Sequence, residues 1–260
     1  MTYFPIYISA LLFILTLMTI LWLVSVRLKN VSIIDMFWGF GFVLSAFFYA
    51  YSSDGLTPRI ILILLLVTLW GLRLSIYLAL RNWGKAEDFR YQKFRKDYGE
   101  KRYWWISFFQ TFLLQGTLMW LISAPLLGAM IEKQDWNLNF LDYFGLTFWL
   151  IGFTFEMVGD FQLAQFKRNP ENKDKVLKSG LWRFTRHPNY FGDAMIWIAF
   201  ALFSMAADSY LPVAGSIIMI YFLIKVSGVA LLESSLKKTK PEYHEYIRQT
   251  NAFIPWFPKK

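Results

Sequence analysis

The sequence predicts an all-α, polytopic integral membrane bundle of about seven transmembrane helices. Three observations lead there: an apolar and aromatic composition, a series of long apolar runs, and basic residues that fall on one side of those runs. Of 260 residues, 56% are hydrophobic and 20% aromatic, but only 17% are charged, whereas soluble domains carry roughly 25% charged residues. The twelve Trp, fourteen Tyr and twenty-six Phe suit aromatic belts at two membrane interfaces.

A helix crosses the hydrocarbon with about 20 apolar residues. Runs of that kind lie at about Tyr3–Val26, Val31–Tyr51, Pro58–Leu80, Ser107–Met130, Leu141–Phe166, Pro188–Ala207 and Leu211–Leu232. The first is too long for the apolar part of a secretory signal, has no basic region before it and no small-residue cleavage site, so it reads as a retained span. Two basic residues fall between spans 1 and 2, eight between spans 3 and 4, seven between spans 5 and 6, and six after span 7. These are 23 of the 27 in the chain; Arg59 and Lys133 occupy the opposite loops, and Arg73 and Lys225 lie inside spans. The positive-inside rule then puts the N-terminus outside and the C-terminus in the cytosol. The chain reads as one membrane domain over residues 1–260, with cytosolic loops 81–106 and 167–187 and a tail 233–260 forming a single polar face.

The net charge of +9 thus follows membrane topology and gives no reason to expect nucleic acid as a partner. Without cysteine there is no disulfide framework, thiol nucleophile or thiolate metal site. The two histidines, His187 and His244, are too few for a histidine-rich centre, and no metal is expected. No G-x-G-x-x-G, Walker loop, serine elbow or H-E-x-x-H is present. Any cofactor would be held by the helical bundle itself.

The densest functional-group chemistry lies between Lys178 and Asp193, where Arg183, Arg186 and His187 stand beside Asn189, Tyr190 and Asp193. Pro188 can open the following helix, where its missing N–H costs nothing. Cations and a helix N-terminus converging on one spot suit a phosphate-bearing ligand. A plain topology signal would explain the two arginines but not the histidine, amide, phenol and acid with them.

Ionisable residues within spans are usually functional or paired. Asp35 starts span 2, and Arg73 lies in span 3 with Tyr77 one turn on. Glu156 and Asp160 are four apart in span 5, and Lys167 follows Asp160 by two turns. Lys225 and Glu233 are two turns apart in span 7, which predicts one shared face. Arg73 and Lys225 neutralising some of these acids would be an ordinary outcome. In the loop after span 3, Glu87, Asp88 and Arg90 read as a self-contained salt-bridged turn, and Tyr103-Trp104-Trp105 as an interfacial anchor.

Gly180-Leu181-Trp182 followed by Arg186-His187-Pro188-Asn189-Tyr190-Phe191-Gly192-Asp193 resembles the C-terminal signature of the steroid 5α-reductase and sterol reductase superfamily. Over nearly its full length the chain is most similar to the bacterial DUF1295-type branch of that superfamily. Val31-Ser32-Ile33-Ile34-Asp35-Met36-Phe37-Trp38-Gly39, Glu87-Asp88-Phe89-Arg90-Tyr91 and the closing Leu232-Glu233, Tyr243, Tyr246-Ile247 and Phe253-Ile254-Pro255 carry that likeness. The resemblance implies a seven-helix enzyme, in a bacterial cytoplasmic membrane, that takes NADPH from the cytosol and reduces an activated C=C bond of a lipid-like substrate. It implies that Asp160, Lys167 and Lys175 meet the adenosine and phosphates. Arg183, Arg186, His187, Asn189, Tyr190 and Asp193 would meet phosphates and carboxamide, Arg73 and Tyr77 would face the cofactor, and Glu233 would close the pocket. The steroid enzymes use a helix-2 acid and a helix-3 tyrosine to polarise the substrate carbonyl. Asp35 matches the acid, kept protonated by apolar surroundings. The tyrosine position falls on Trp70, which donates no proton, leaving Tyr77 or Tyr91 to substitute. Isoprenylcysteine and phospholipid methyltransferases, which bind S-adenosylmethionine, share an Arg-His-Pro-x-Tyr-x-Gly stretch and form the alternative. A non-enzymatic lipid-binding protein is a third reading. Asp193 directly after Gly192 and the Asp160/Lys167 pair fit the reductase pattern better.

Overall fold

The structure, a computed structural model, describes residues 3–131, 137–226 and 228–259; Lys133 and Lys260, both used in the charge count, lie outside them. All regular structure among the described residues is helical. Seven segments are long and apolar enough to cross a membrane: Tyr3–Leu28, Ile33–Tyr51, Pro58–Asn82, Glu100–Ile131, Phe140–Arg168, Pro188–Ala206 and Val213–Thr239. The chain divides into two compact units, one holding residues up to 138 with Phe203–Gly215, the other Asn139–Leu202 with the chain from Ser216 onward.

In the first unit, α1 (Tyr3–Leu28) buries Ala10, Ile14 and Met18 along one stripe at four-residue spacing. It packs against α2 (Ile33–Tyr51), and α2 packs in turn against α3 (Pro58–Asn82). Thr57 opens α3 by accepting the Ile60 N–H at 3.4 Å, with Pro58 in the first turn, where an absent donor is harmless. Along α3, Ile60, Ile63, Val67 and Trp70 are buried, whereas Ile61, Leu65, Leu69, Leu72 and Ile76 are exposed. So continuous an outward apolar stripe would be a liability in water, and in a bilayer it is the lipid-facing surface. Helices α2 and α3 cross backbone to backbone: a Cβ on Gly71 would stand 2.5 Å from the Gly39 carbonyl. Such close approach through small residues is how apolar helices gain packing energy in lipid.

Helix α4 (Phe89–Tyr98) is the polar helix of the loop after span 3. The fourth span is composite: α5 (Glu100–Ser107), a π-helical stretch over Phe108–Leu113, α6 (Leu114–Ile122) and α7 (Ala124–Ile131). Pro125 in the first turn of α7 lacks the N–H needed to continue α6. The break leaves the Ser123 hydroxyl for the buried Tyr49 phenol, 2.7 Å away. Tyr103 is fully buried, so only Trp104 and Trp105 of the expected anchor are exposed.

In the second unit, α8 (Phe140–Arg168) starts with a reciprocal box in which the Asn139 side chain accepts backbone N–H groups and Asp142 accepts the Asn139 N–H at 2.8 Å. Single 3₁₀ turns at Pro170–Asn172 and Gly180–Arg183 lead to α9 (Pro188–Ala206). A Cβ on Gly152 of α8 would lie 2.6 Å from the Gly192 carbonyl of α9 and 2.9 Å from the Ile196 nitrogen. The last span passes from α10 (Val213–Tyr221) through a π-helical Phe222–Val226 to α11 (Val229–Thr239), and α12 (Tyr243–Gln249) follows. This interruption corrects the expected Lys225–Glu233 face: Lys225 is exposed in the π segment and Glu233 belongs to a separate helix.

Filling the α8–α9 crossing is expected to destabilise the protein by about 1–3 kcal/mol, the usual cost of overpacking. Gly152→Val should therefore lower the thermal midpoint in detergent, while Leu65→Val on the exposed face of α3 leaves it unchanged.

Candidate functional site

The Lys178–Asp193 block folds against the C-terminal tail. Arg186 is 7% exposed, and its Nε donates to Glu233 Oε1 at 2.8 Å, with Nη2 2.7 Å from the same oxygen. Its Nη1 donates to the Thr250 and Ile247 carbonyls at 2.5 and 3.3 Å, capping the C-terminus of α12. The Arg186 backbone N–H donates to the Asn251 carbonyl at 2.9 Å, and the Thr185 hydroxyl to Phe253 at 2.8 Å. Tyr246 donates to the Trp182 carbonyl, and the Trp256 N–H reaches Phe184 at 2.9 Å. A fork of donors matched to a carboxylate and two orphan carbonyls is the geometry that favours arginine over lysine.

His187, 1% exposed, places Nε2 3.2 Å from Glu233 Oε1. A carboxylate requires a donor, so Nε2 carries the proton and Nδ1 the lone pair. That buried Nδ1 has no hydrogen-bond partner among the described residues. Burial pushes the His187 imidazole below its ordinary value, against the opposing pull of Glu233. The Tyr190 ring stacks on it with centroids 5.7 Å apart. Burial likewise pushes the Tyr243 and Tyr246 phenols up. Asn189 donates to Asp160 Oδ1 at 3.1 Å, and its own Oδ1 is a second buried acceptor without a partner. Asp160, Glu156 and Asp193 are buried, whereas Lys167, Lys175 and Arg183 are exposed. Asp160 and Lys167 therefore share a helical direction but not an environment, because Lys167 lies in the last turn of α8.

The other polar cluster lies wholly in the first unit, and it corrects two expectations. Glu87, Asp88 and Arg90 are not a self-contained turn. Glu87 accepts the Val31 N–H at 2.8 Å while pairing with Arg95 at 2.9 Å, and the Asp88 N–H donates to the Ser32 hydroxyl at 2.7 Å. A carboxylate from the loop thus holds the backbone just before α2, at the positive end of that helix. Nor does Asp35 sit in apolar surroundings. Arg90 Nη2 is 2.6 Å from one carboxylate oxygen and the Tyr91 hydroxyl donates to the other at 2.8 Å. Burial first, and the Asp35 charge second, push the Tyr91 phenol up, so it keeps its proton at neutral pH. Burial would raise Asp88, but the side-chain and backbone donors of Arg90 outweigh it and hold this carboxyl below its usual range. Arg73 and Tyr77 are half-buried on α3, with the Arg81 guanidinium 5.9 Å from the Tyr77 ring centroid. Trp70 is fully buried.

The structure therefore brings Arg186, His187 and Glu233 together, Asn189 with Asp160, and Asp35 with Tyr91. Sequence reasoning missed Arg90, Glu87 and Arg95 as partners of the α2 start, and Gln162, whose Oε1 accepts the Leu181 N–H at 3.0 Å. The only advance signal was the mixture of acids and bases in the 87–95 segment.

Removing one partner from a buried ion pair costs about 3–5 kcal/mol. Arg186→Met should lose that much by denaturant unfolding, Arg186→Lys should fail to restore it, and Arg186→Met with Glu233→Leu should recover most of it. Because the folded state depresses His187, the unfolded chain binds its proton first. Stability should therefore decline as pH falls below about 6.5 and level off once the folded-state imidazole is also charged. His187→Gln should flatten that part of a thermal-midpoint profile.

Comparison with known proteins places this geometry in a family. An uncharacterized protein of Schizosaccharomyces pombe is 27% identical over 266 residues, covering 91% of this chain and 76% of that protein. That match is fungal and lends no support to the expected bacterial placement. The 3-oxo-5-alpha-steroid 4-dehydrogenase 1 of Mus musculus is 28% identical over 85 residues, a third (33%) of each chain. Its Rattus norvegicus counterpart is 28% identical over 74 residues, 28% of this chain and 29% of that enzyme. No solved structure matches. Residues 21–250 match the family described as protein of unknown function DUF1295, and the chain belongs to that family.

Proposed function

We propose that the protein is a membrane-embedded, NADPH-dependent reductase of a C=C bond in a lipid-like substrate. By the one-sided basic loops, both polar clusters face the cytosol and the N-terminus lies outside. The observation that carries the reading is the pair of buried acceptors at the start of α9, His187 Nδ1 and Asn189 Oδ1, left without partners. Unmet buried acceptors are costly, and they suit a ligand that brings N–H donors, as the carboxamide of a nicotinamide does. The partial likeness to two steroid dehydrogenases supports the same choice.

NADPH supplies the hydride when bound. The residues of this chain then divide by environment. Exposed Lys167, Lys175 and Arg183 meet the phosphates. Asn189, oriented by Asp160, and His187, oriented by Glu233, accept from the carboxamide. Tyr190 and Asp193 complete the same turn of α9. Arg186 is a positioning residue, because its donors are engaged by Glu233 and the tail carbonyls. In the first unit Tyr91 is the hydrogen-bond and proton donor for a substrate carbonyl. Its hydroxyl proton, held by Asp35 in the free protein, turns to the substrate oxygen, and Asp35 in its acid form then donates to the phenol oxygen while Arg90 holds the carboxyl in place. Tyr77 and Arg73 are the second polar pair of that unit, and Trp70 takes no part in proton transfer.

Protein in detergent should gain thermal stability with NADPH and not with S-adenosylmethionine; the reverse ranking would assign the chain to the methyltransferases. Tyr91→Phe should retain the NADPH-dependent stabilisation. With a substrate found among enone-containing lipids, its turnover should fall by about 10²–10⁴, the usual worth of a positioned acid.

A further inference from the structure

We infer that residues 251–257 form a strap lying in the headgroup–acyl boundary of the host bilayer, where it couples the α9 entrance to the membrane. The strap is hydrogen-bonded to the residues immediately before α9 enters its span. The Arg186 N–H donates to Asn251 at 2.9 Å, the Thr185 hydroxyl to Phe253 at 2.8 Å, and the Trp256 N–H to Phe184 at 2.9 Å. Phe253 reaches the first turn of α9 itself, its ring centroid 6.1 Å from that of Phe191, and Phe257 packs edge-on against Phe184 at 6.1 Å. These contacts fix the depth of the strap to within a few residues of Pro188, the start of the sixth span.

At that depth the strap turns Ile254, Trp256 and Phe257 outward, at 68%, 67% and 73% exposure. Three large apolar side chains would not be left in water beside a well-packed turn, and the material at that level beside a span is lipid. The chemistry is that of an interfacial anchor: tryptophan and phenylalanine for the boundary, with basic side chains alongside to meet headgroup phosphates. Lys259 follows the aromatic pair, and its N–H bonds the Gln249 carbonyl at 2.8 Å, which keeps the end of the strap against α12. The strap therefore has an inner edge that holds the Arg186 loop and an outer edge that rests in the membrane. Losing the membrane contact should loosen the loop, whichever cofactor it binds.

The absence of cysteine allows a direct test. Phe257→Cys and, on exposed α12, Glu245→Cys are each spin-labelled in the full chain and reconstituted at high dilution into phosphatidylcholine vesicles. Collision rates are then measured with oxygen, which concentrates in lipid, and with a water-soluble nickel chelate. The label at 257 is expected to show an oxygen-to-nickel ratio several-fold above that at 245. Equal ratios at the two positions would overturn the inference by placing the strap in water. Dipolar broadening at 257 that disappears on mixing with unlabelled protein would overturn it in favour of a second copy covering the patch. A second arm uses Ile254→Ser/Trp256→Ser, which leaves the inner hydrogen bonds and the Phe257–Phe184 contact intact. In vesicles it should speed amide exchange over residues 184–187; unchanged exchange would contradict the coupling.

Discussion

A guanidinium removed from water needs every donor met, and at Arg186 that requirement organises the whole C-terminal unit. Its partners lie far along the chain, in Glu233 near the end of the last span and in the carbonyls that close α12, and the Arg186 backbone N–H adds the Asn251 carbonyl directly beyond them. Each satisfies a need of its own. Glu233, half-buried, would otherwise keep only His187 and the more distant Lys237, and the last carbonyls of α12 would lack donors. The arrangement also sets His187, because the same carboxylate oxygen that accepts from Arg186 fixes the imidazole tautomer. The consequence for function is a division of labour within one motif: the arginine builds the turn, and the atoms left over in that turn are the ones available to a ligand.

The N-terminal unit solves a similar problem differently. The turn before α2 offers the Val31 N–H to a carboxylate from outside, and the 87–95 segment supplies Glu87. Once Glu87 and Asp88 are held there, Arg90 and Tyr91 are brought onto Asp35. A loop tied to the turn before α2 thus places a phenol and an acid 2.8 Å apart. In both units the helices that carry these groups cross at paired glycines, Gly39 with Gly71 and Gly152 with Gly192. Backbone contact of that kind leaves little freedom for helices to slide, which suits polar groups whose geometry must be kept.

How much of this was legible in the sequence depends on the range of the interaction. The seven spans could be read because hydropathy over about 20 residues is a local property. Their ends lie within two residues of the expected ones except at Glu100 and Thr239, where polar turns extend the fourth and seventh helices by seven residues. The π segments at Phe108–Leu113 and Phe222–Val226 could not, since shifting one rung of the helical ladder leaves composition unchanged. The fate of Lys225 followed from that: a two-turn spacing means one face only if the helix is continuous. Motif residues were visible as unusual chemistry, but their pairings were not. Asp35 with Arg90 and Arg186 with Glu233 are separated by 55 and 47 residues, and nothing in local spacing selects a partner at such range. The expectation that Asp35 lies in an apolar pocket failed for this reason, because its own span is apolar and its partners arrive from a loop.

The C-terminal cluster carries two proposed roles, a lock for the tail and a site for a nicotinamide cofactor. Hydrogen–deuterium exchange of the reconstituted protein, with and without saturating NADPH, tests the two together. Residues 185–187 and 247–253 should exchange slowly in both samples, and residues 189–193 should gain protection only with the cofactor. Exchange at residues 189–193 that is unchanged by NADPH, or a tail that exchanges as fast as an unstructured peptide, would contradict those roles.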